Sequence, residues 1–331
     1  MEVVQQGTQI RFDNHEHFHK IQAWVQDSRP YANLGKCANY IPALERANPS
    51  QLGICIIGSD GTMVKTGDFD TAFTLQSISK VIGFIAACID YGISYVLEKV
   101  DVEPTGDAFN SIIRLEVHKP GRPFNPMINA GAITVASLLG GRNPVEKVES
   151  ICLLIERIVG RHPIINEEVF YSEWQTAHRN RALAYYLKEM GFLDCSVEEA
   201  IEVYLKQCSI EVTTEDVAMI GLVLANDGYH PIRKEQIFSR EVARLTKALM
   251  VTCGMYNSSG KFAASVGIPA KSGVSGGILA AIPPRGRTDD SPFMDGCGIG
   301  IYGPAIDEFG NSVAGVMLLK QISREWDFNI F

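Results

Sequence analysis

The two ends of this chain carry strand-like segments of the same kind, and that narrows its fold more than anything between them. LGICIIGSDGTMVKTGD (52–68) is an apolar run, a Ser-Asp-Gly turn and a second apolar stretch closed by glycine, the pattern of a β-hairpin. CGIGIYGPAIDEFGNSVAGVMLLKQIS (297–323) reads as two more strands around an Asp-Glu-Phe-Gly-Asn turn, with glycine where backbones approach closely. SGGILAAIP (275–283) reads as a further strand. The middle is helical. Asn143-Pro144 supplies a cap and a first-turn proline, and Val145, Val148, Ile151, Cys152, Ile155, Ile158 and Val159 then recur at helical spacing. Ser196 to Glu199 forms a capping-box pattern before EEAIEVYLKQC. Thr213 to Asp216 plays a similar role before VAMIGLVLAND, which stops at Gly228, and Ser239 caps REVARLTKALMVTC. Terminal strands that pair in one antiparallel sheet, covered by the central helices, make an α+β architecture. The βαβ alternation of a parallel sheet is absent. One domain over 1–331 is expected, with a terminal segment at 1–20 and the helical part at about 80–260.

Composition excludes several functions. With 331 residues, 46% of them hydrophobic, there is ample material for a large core. A net charge of −8 and the lack of any Lys/Arg-rich run argue against nucleic acid as a partner. No apolar stretch is long enough to span a membrane, and the N-terminus does not read as a secretory signal. Eight cysteines without a C-x-x-C pair read as reduced core thiols, which places the chain in the cytoplasm. His15, His17 and His19 alternate in NHEHFHK, but no second cluster completes a metal shell. An exposed, partly mobile terminal segment is expected there, with no metal or other cofactor. Glu198, Glu199 and Glu202 read as a solvated helix face, and 284–292 as a turn-rich loop.

The chemistry points to FTLQSISKVIGFIAAC (73–88), where serines and a lysine open an apolar helix. With Ser77 at or near the first helical residue, Lys80 lies three residues on, on the same face. Unpaired N–H groups and the positive dipole end stabilise an oxyanion there. A serine hydroxyl needs a base to become a nucleophile. A lysine amine can serve if burial lowers its pKa from about 10.4. The bland reading is a capping serine and a surface lysine. A second element favours the catalytic one: Lys271-Ser272-Gly273 heads a terminal strand, a variant of the K-T-G that accompanies S-x-x-K in penicillin-binding proteins and β-lactamases. The N–H groups of Ser77 and Val274 could then form an oxyanion hole. The S-D-N element of that set is missing from 81–270.

FTLQSISK, GRPFNPMINAGAI (121–133) and SEWQTAHRNRALAYYL (172–187), with NYIPAL (39–44), GMYNSSG (254–260) and AKSGVSGG (270–277), resemble the serine-dependent glutaminases. That family has the β-lactamase/transpeptidase-like fold, and the resemblance covers roughly residues 20–325. It implies hydrolysis of L-glutamine to L-glutamate and ammonia, with Ser77 as nucleophile and Lys80 as its base. It implies substrate binding by Asn129, Glu173, Asn180, Tyr204, Tyr256 and the backbone of Val274, and a place for Tyr40 near the nucleophile. Tyr256 or Tyr40 would pass the proton to the leaving group. These residue types suit a free amino acid. Glu173 can accept from the substrate ammonium, while Asn129, Asn180 and Tyr204 can donate to its carboxylate. Taken singly, Glu173 reads as a solvated charge, Asn129 as a turn residue and Tyr204 as a core aromatic. His118 and His178 lie beside these motifs without matching a role. The resemblance also implies a homo-oligomer, a tetramer, and no cofactor. A β-lactamase or D,D-peptidase activity and a non-catalytic amino-acid-binding protein are the competing readings.

Overall fold

A computed structural model of the chain describes residues 11–12, 16–112, 115–116, 121–285 and 292–331. His15, His118 and most of the loop at 284–292 lie outside the described residues. Six strands form the central sheet: β1 (Arg11–Phe12), β2 (Gly53–Gly58), β3 (Thr62–Gly67), β4 (Ala270–Ser272), β5 (Gly277–Ile282) and β6 (Cys297–Tyr302). Their order is β1-β3-β2-β6-β5-β4. The hairpin pairs Ile56 with Val64, and β6 joins the two terminal halves by pairing Ile299 with Ile56 on one side and Ala280 on the other. All these ladders are antiparallel, as expected. The two-residue β1 departs from the pattern by pairing with β3 in parallel.

Both faces of the sheet are covered. Cys55, Ile57, Leu279 and Ala281 face the helical region, while the alternate residues Ile54, Ile56, Ile278, Ile299 and Ile301 pack under terminal helices. Burial on both faces explains why GICIIG and GILAAI read as continuous apolar runs. The covering helices on one face are α1 (Glu16–Ser28) and α10 (Val313–Glu325). Between them in sequence lie α2 (Ser79–Tyr91), α3 (Asn129–Leu138), α4 (Pro144–Val159), α5 (Glu167–Thr176), α6 (His178–Glu189), α7 (Val197–Cys208), α8 (Thr214–Ala225) and α9 (Arg240–Cys253).

One sequence expectation fails at the C-terminal end. The segment 297–323 holds one strand, β6, and not two, because residues 313–325 form α10. Ser312 caps it by accepting from the Gly315 N–H at 3.1 Å, and Ala314, Leu318, Leu319 and Ile322 are buried at helical spacing. The histidine-rich segment, where described, is helix rather than an irregular end, and His19 and Lys20 are exposed as expected. From Glu16 it is helical, and the His17 ring meets Trp326 edge-on at 5.8 Å.

The central helices begin where their caps predict. Asn143, Thr213 and Ser239 each accept from a first-turn N–H. Thr213–Asp216 is a complete capping box. Ser196 makes only its half, because Glu199 turns to Lys147 of α4 at 2.9 Å. Glu199 is therefore an inter-helix tie, and Glu202 pairs with Lys206 at 2.7 Å, so this acidic face is more engaged than expected.

Helix α8 lies directly on the sheet, and glycine permits it. A Cβ at Gly298 would stand 1.9 Å from the Ala218 carbonyl, and one at Gly300 would stand 2.0 Å from that of Thr214. From the helix side, a Cβ at Gly221 would stand 2.3 Å from the Ala280 carbonyl. Helix α2 is buried along Ser79–Cys88, which accounts for its apolar composition all round. Among the described residues no single helix is long and apolar enough to cross a membrane.

Candidate active site

Ser77 sits in a one-turn 3-10 helix, Gln76–Ile78, that runs directly into α2. It therefore precedes the α-helix rather than opening it, but still stands at the positive end of a 13-residue dipole. The turn is anchored by Leu75 N–H donating to Ile210 O at 2.8 Å. Gln76 holds φ +46°, a left-handed conformation that a non-glycine residue adopts at a cost of order 1–3 kcal/mol. Tyr256 does the same at φ +51°. Gly273 lets the β4 end approach the turn, because a Cβ there would come 2.6 Å from the Leu75 carbonyl.

Seven of the nine predicted residues line one cavity of about 240 Å³: Tyr40, Ser77, Asn129, Glu173, Asn180, Tyr204 and Val274. The other two stand behind its wall. Lys80 Nζ donates to Asn129 Oδ1 at 2.7 Å and to Met127 O at 3.2 Å. The Asn129 amide donates in turn to Asn180 Oδ1 at 2.9 Å. Asn129 thus holds Lys80 and Asn180 together and keeps its second amide N–H, as Asn180 keeps its own, on the wall of the cavity. Tyr256 is buried, and its ring lies 5.1 Å from that of Phe109. Its hydroxyl has no partner in full hydrogen-bond geometry, yet Ser77 is near enough to oppose the upward shift of its pKa.

Burial sets the charges. The Lys80 ammonium is enclosed completely, and desolvation brings its pKa down to about 8, against the attraction of Cys208 and Glu173. Glu173 is partly exposed along its stem but buried at its carboxylate, and desolvation raises it to about 7, opposed by Gln76 and Lys80. Its Oε2 is buried without a hydrogen-bond partner, an arrangement that calls for a ligand. The phenols of Tyr204 and Tyr256 are pushed well up by burial. Tyr40 is half exposed at the rim, and its hydroxyl is raised by burial and then by Tyr256 and Glu173.

Several site groups have no role assigned by the sequence reading. Gln76 precedes the nucleophile and lines the cavity. Phe109 places its ring 5.9 Å from Lys80 Nζ and accepts the Asn129 N–H on its carbonyl at 2.8 Å. Arg179, also on the cavity wall, donates through Nε to the Asn110 carbonyl at 2.7 Å. Gln76 and Arg179 fall within FTLQSISK and SEWQTAHRNRALAYYL, where residue type alone assigns them no role, and Phe109 lies between the motifs on a segment whose path is set by tertiary contacts. Lys271, noted for its motif, is wholly buried. Nζ donates to Ser272 O at 2.6 Å and lies 4.3 Å from the Tyr256 ring centre. Burial and then the Lys80 charge hold its pKa well below that of an ordinary lysine. His178 lies on α6 and does not line the cavity.

A serine at a helix start, an enclosed lysine behind it and a buried carboxylate with one unpartnered oxygen at one small cavity are the equipment for acyl transfer on an amino acid. Similarity to known proteins identifies the family. The glutaminase family model matches residues 35–331. Glutaminase 2 of Bacillus anthracis is 70% identical over 311 residues, covering 94% of this chain and 95% of its own. A probable glutaminase from Bacillus subtilis superposes with a TM-score of 0.90 at 62% identity, covering 95% of this chain and 98% of that one. A Bacillus subtilis glutaminase in covalent complex with 5-oxo-L-norleucine, formed by reaction with 6-diazo-5-oxo-L-norleucine, superposes with a TM-score of 0.87 at 58% identity, covering 96% and 100%. Spanning nearly its whole length, these matches establish that the chain belongs to the glutaminase family.

Proposed function

We propose that the cavity binds L-glutamine and that Ser77 cleaves its side-chain amide, with Lys80 as general base. The observation that carries this reading is the buried, unpartnered Glu173 Oε2 in the same cavity as Ser77. It suits the α-ammonium of an amino acid, and Asn129, Asn180 and Tyr204 suit its carboxylate. A neutral Lys80 amine can donate its two hydrogens to Met127 and Asn129, and its lone pair is assigned to the Ser77 hydroxyl one turn away. The serine oxygen attacks the amide carbon, and its proton passes to Lys80. The N–H groups of Ser77 and Val274 hold the oxyanion. Collapse releases ammonia, protonated through Tyr256 or Tyr40, and water hydrolyses the Ser77 ester to free glutamate. The relative that forms a covalent 5-oxo-L-norleucine complex supports a nucleophile in a cavity of this shape. One catalytic domain, a homotetramer and a cytoplasmic location belong to the same proposal. The eight free thiols support the compartment, and sedimentation tests the assembly.

The first test is ammonia release from L-glutamine by the purified protein, beside hydrolysis of a chromogenic β-lactam. Ammonia without β-lactam turnover is expected. Glutamine binding without ammonia would favour the non-catalytic reading, and β-lactam turnover would favour the peptidase-like one.

Two predictions arise from the charges. Lys80 must be neutral to act as base, and Glu173 must be ionised to hold the ammonium. With the two near 8 and 7, kcat/KM should climb from pH 6 and level off above about pH 8.5. Below pH 7 both groups carry the unproductive proton, so the acid limb should approach a hundredfold loss per pH unit, the limit for two ionisations of about tenfold each. A pH-rate profile that is flat from 6 to 9 would rule Lys80 out as base. Glu173→Gln removes the charge facing the ammonium but keeps the shape. It should raise KM by about 10–100-fold, the worth of one charged hydrogen bond, with a smaller change in kcat. Steady-state kinetics decide it, and an unchanged KM would move the ammonium elsewhere.

A further inference from the structure

The C-terminal half of α4 carries a set of metal-ligating side chains that the reaction does not use. Glu149 and Cys152 lie one turn apart on α4, and Glu156 follows one turn further on, placing all three on one face. Gly160 ends the helix in the left-handed region, donating its N–H to Glu156 O at 2.8 Å. Arg161 is then fixed by its ion pair with Asp216, with Nε 3.1 Å from Oδ1. The chain therefore turns back, and the His162 ring returns over the helix it has just left. Its Nδ1 lies 2.8 Å from Glu156 Oε2, and its Nε2 faces Glu149 Oε2 at 3.7 Å. Donor atoms of Glu149, Cys152 and His162 all lie within 4.8 Å of one another.

We propose that Glu149, Cys152 and His162 Nε2 bind a divalent transition-metal ion of the zinc type, with Glu156 orienting the imidazole. A carboxylate on one ring nitrogen that turns the other toward a metal is the usual outer-shell arrangement for a histidine ligand. One sulfur, one nitrogen and one oxygen donor suit a borderline-soft ion and leave a fourth position for water. The tetrahedral spacing of such donors is about 3.5 Å. The 3.7 Å between His162 and Glu149 already approaches it, and both side chains are half exposed and able to close the rest. Binding displaces the Cys152 thiol proton to solvent and leaves a metal thiolate. The ion would clamp the end of α4 to the connector that leads toward α5. It is a structural site, separate from the cavity that holds Ser77. His17 and His19, the described members of the histidine run where the sequence first suggests a metal, are not part of it.

The test uses full-length protein stripped with a chelator and dialysed against zinc alone, then against cobalt as a spectroscopic stand-in. One zinc per chain should bind and raise the melting temperature. Cobalt should give a thiolate-to-metal charge-transfer band. His162→Ala removes an exposed ring and should fold normally, yet weaken zinc binding at least about tenfold and remove the thermal shift. Cys152→Ser should abolish the cobalt band. Failure of the wild-type chain to bind micromolar zinc would overturn the proposal. So would zinc affinity and a cobalt band that persist unchanged in both variants, since the ion would then sit elsewhere.

Discussion

Ser77→Ala is expected to eliminate ammonia release from L-glutamine, with kcat falling roughly 10⁴–10⁶-fold, the range seen when a covalent nucleophile is removed. Removing one oxygen leaves the Glu173 carboxylate, the Lys80–Asn129–Asn180 chain and the cavity walls in place. Glutamine affinity should therefore stay within a few-fold of wild type. A coupled ammonia assay gives the rate, and titration calorimetry gives the affinity. The split between the two is diagnostic, since a merely structural serine would move both or neither. Activity within tenfold of wild type would sink the acyl-enzyme route, whatever else the family resemblance suggested.

Gly298→Val should have the largest effect on folding. The glycine lies on β6 where α8 crosses, and even its first carbon would meet Ala218 O at 1.9 Å and Leu222 N at 2.1 Å. These are backbone atoms and no rotamer relieves them, so α8 must lift from the sheet. That movement opens the main helical core and costs more than about 4 kcal/mol, the exceptional end of single substitutions. Thermal melting should show a drop of many degrees or no soluble protein at all. Gly260→Ala is the matching control. A Cβ there meets nothing within 4 Å, and the position is helical, so a gain of about 0.5–1 kcal/mol is expected. If Gly298→Val melted within a few degrees of wild type, the helix would not rest on the strand as described.

Legibility in the sequence follows the range of the forces involved. Caps at Asn143, Thr213 and Ser239 act over three residues and are readable as they stand. So is the 53–67 hairpin, whose turn residues are adjacent in the chain. The end of the chain misleads because Ala314, Gly315 and Val316 mimic the small-residue strands before them, and the alternative appears only over a longer window of helical spacing. In the site, the motif-borne residues are legible, but their wiring is not. The residue type of Asn129 suggests a partner for the substrate carboxylate. That its amide also links Lys80 to Asn180 is not legible, because the link joins residues 80, 129 and 180 on three separate helices. The strain at Gln76 and Tyr256 is likewise invisible, because neither residue type favours a left-handed backbone, and tertiary packing has to impose it.

The placement of β6 between the halves of the sheet bears on how the chain is made. On the ribosome, the β2–β3 hairpin emerges early, yet the ladder that completes β2 is supplied by residues 297–302. At about 5–20 residues per second, roughly 10–50 s pass before that partner has been synthesised. Through this interval β2 presents an unpaired, wholly apolar edge, the kind of surface that recruits other strands. Production of this enzyme should therefore be limited by chaperone protection of its first hundred residues more than by the stability of the finished molecule.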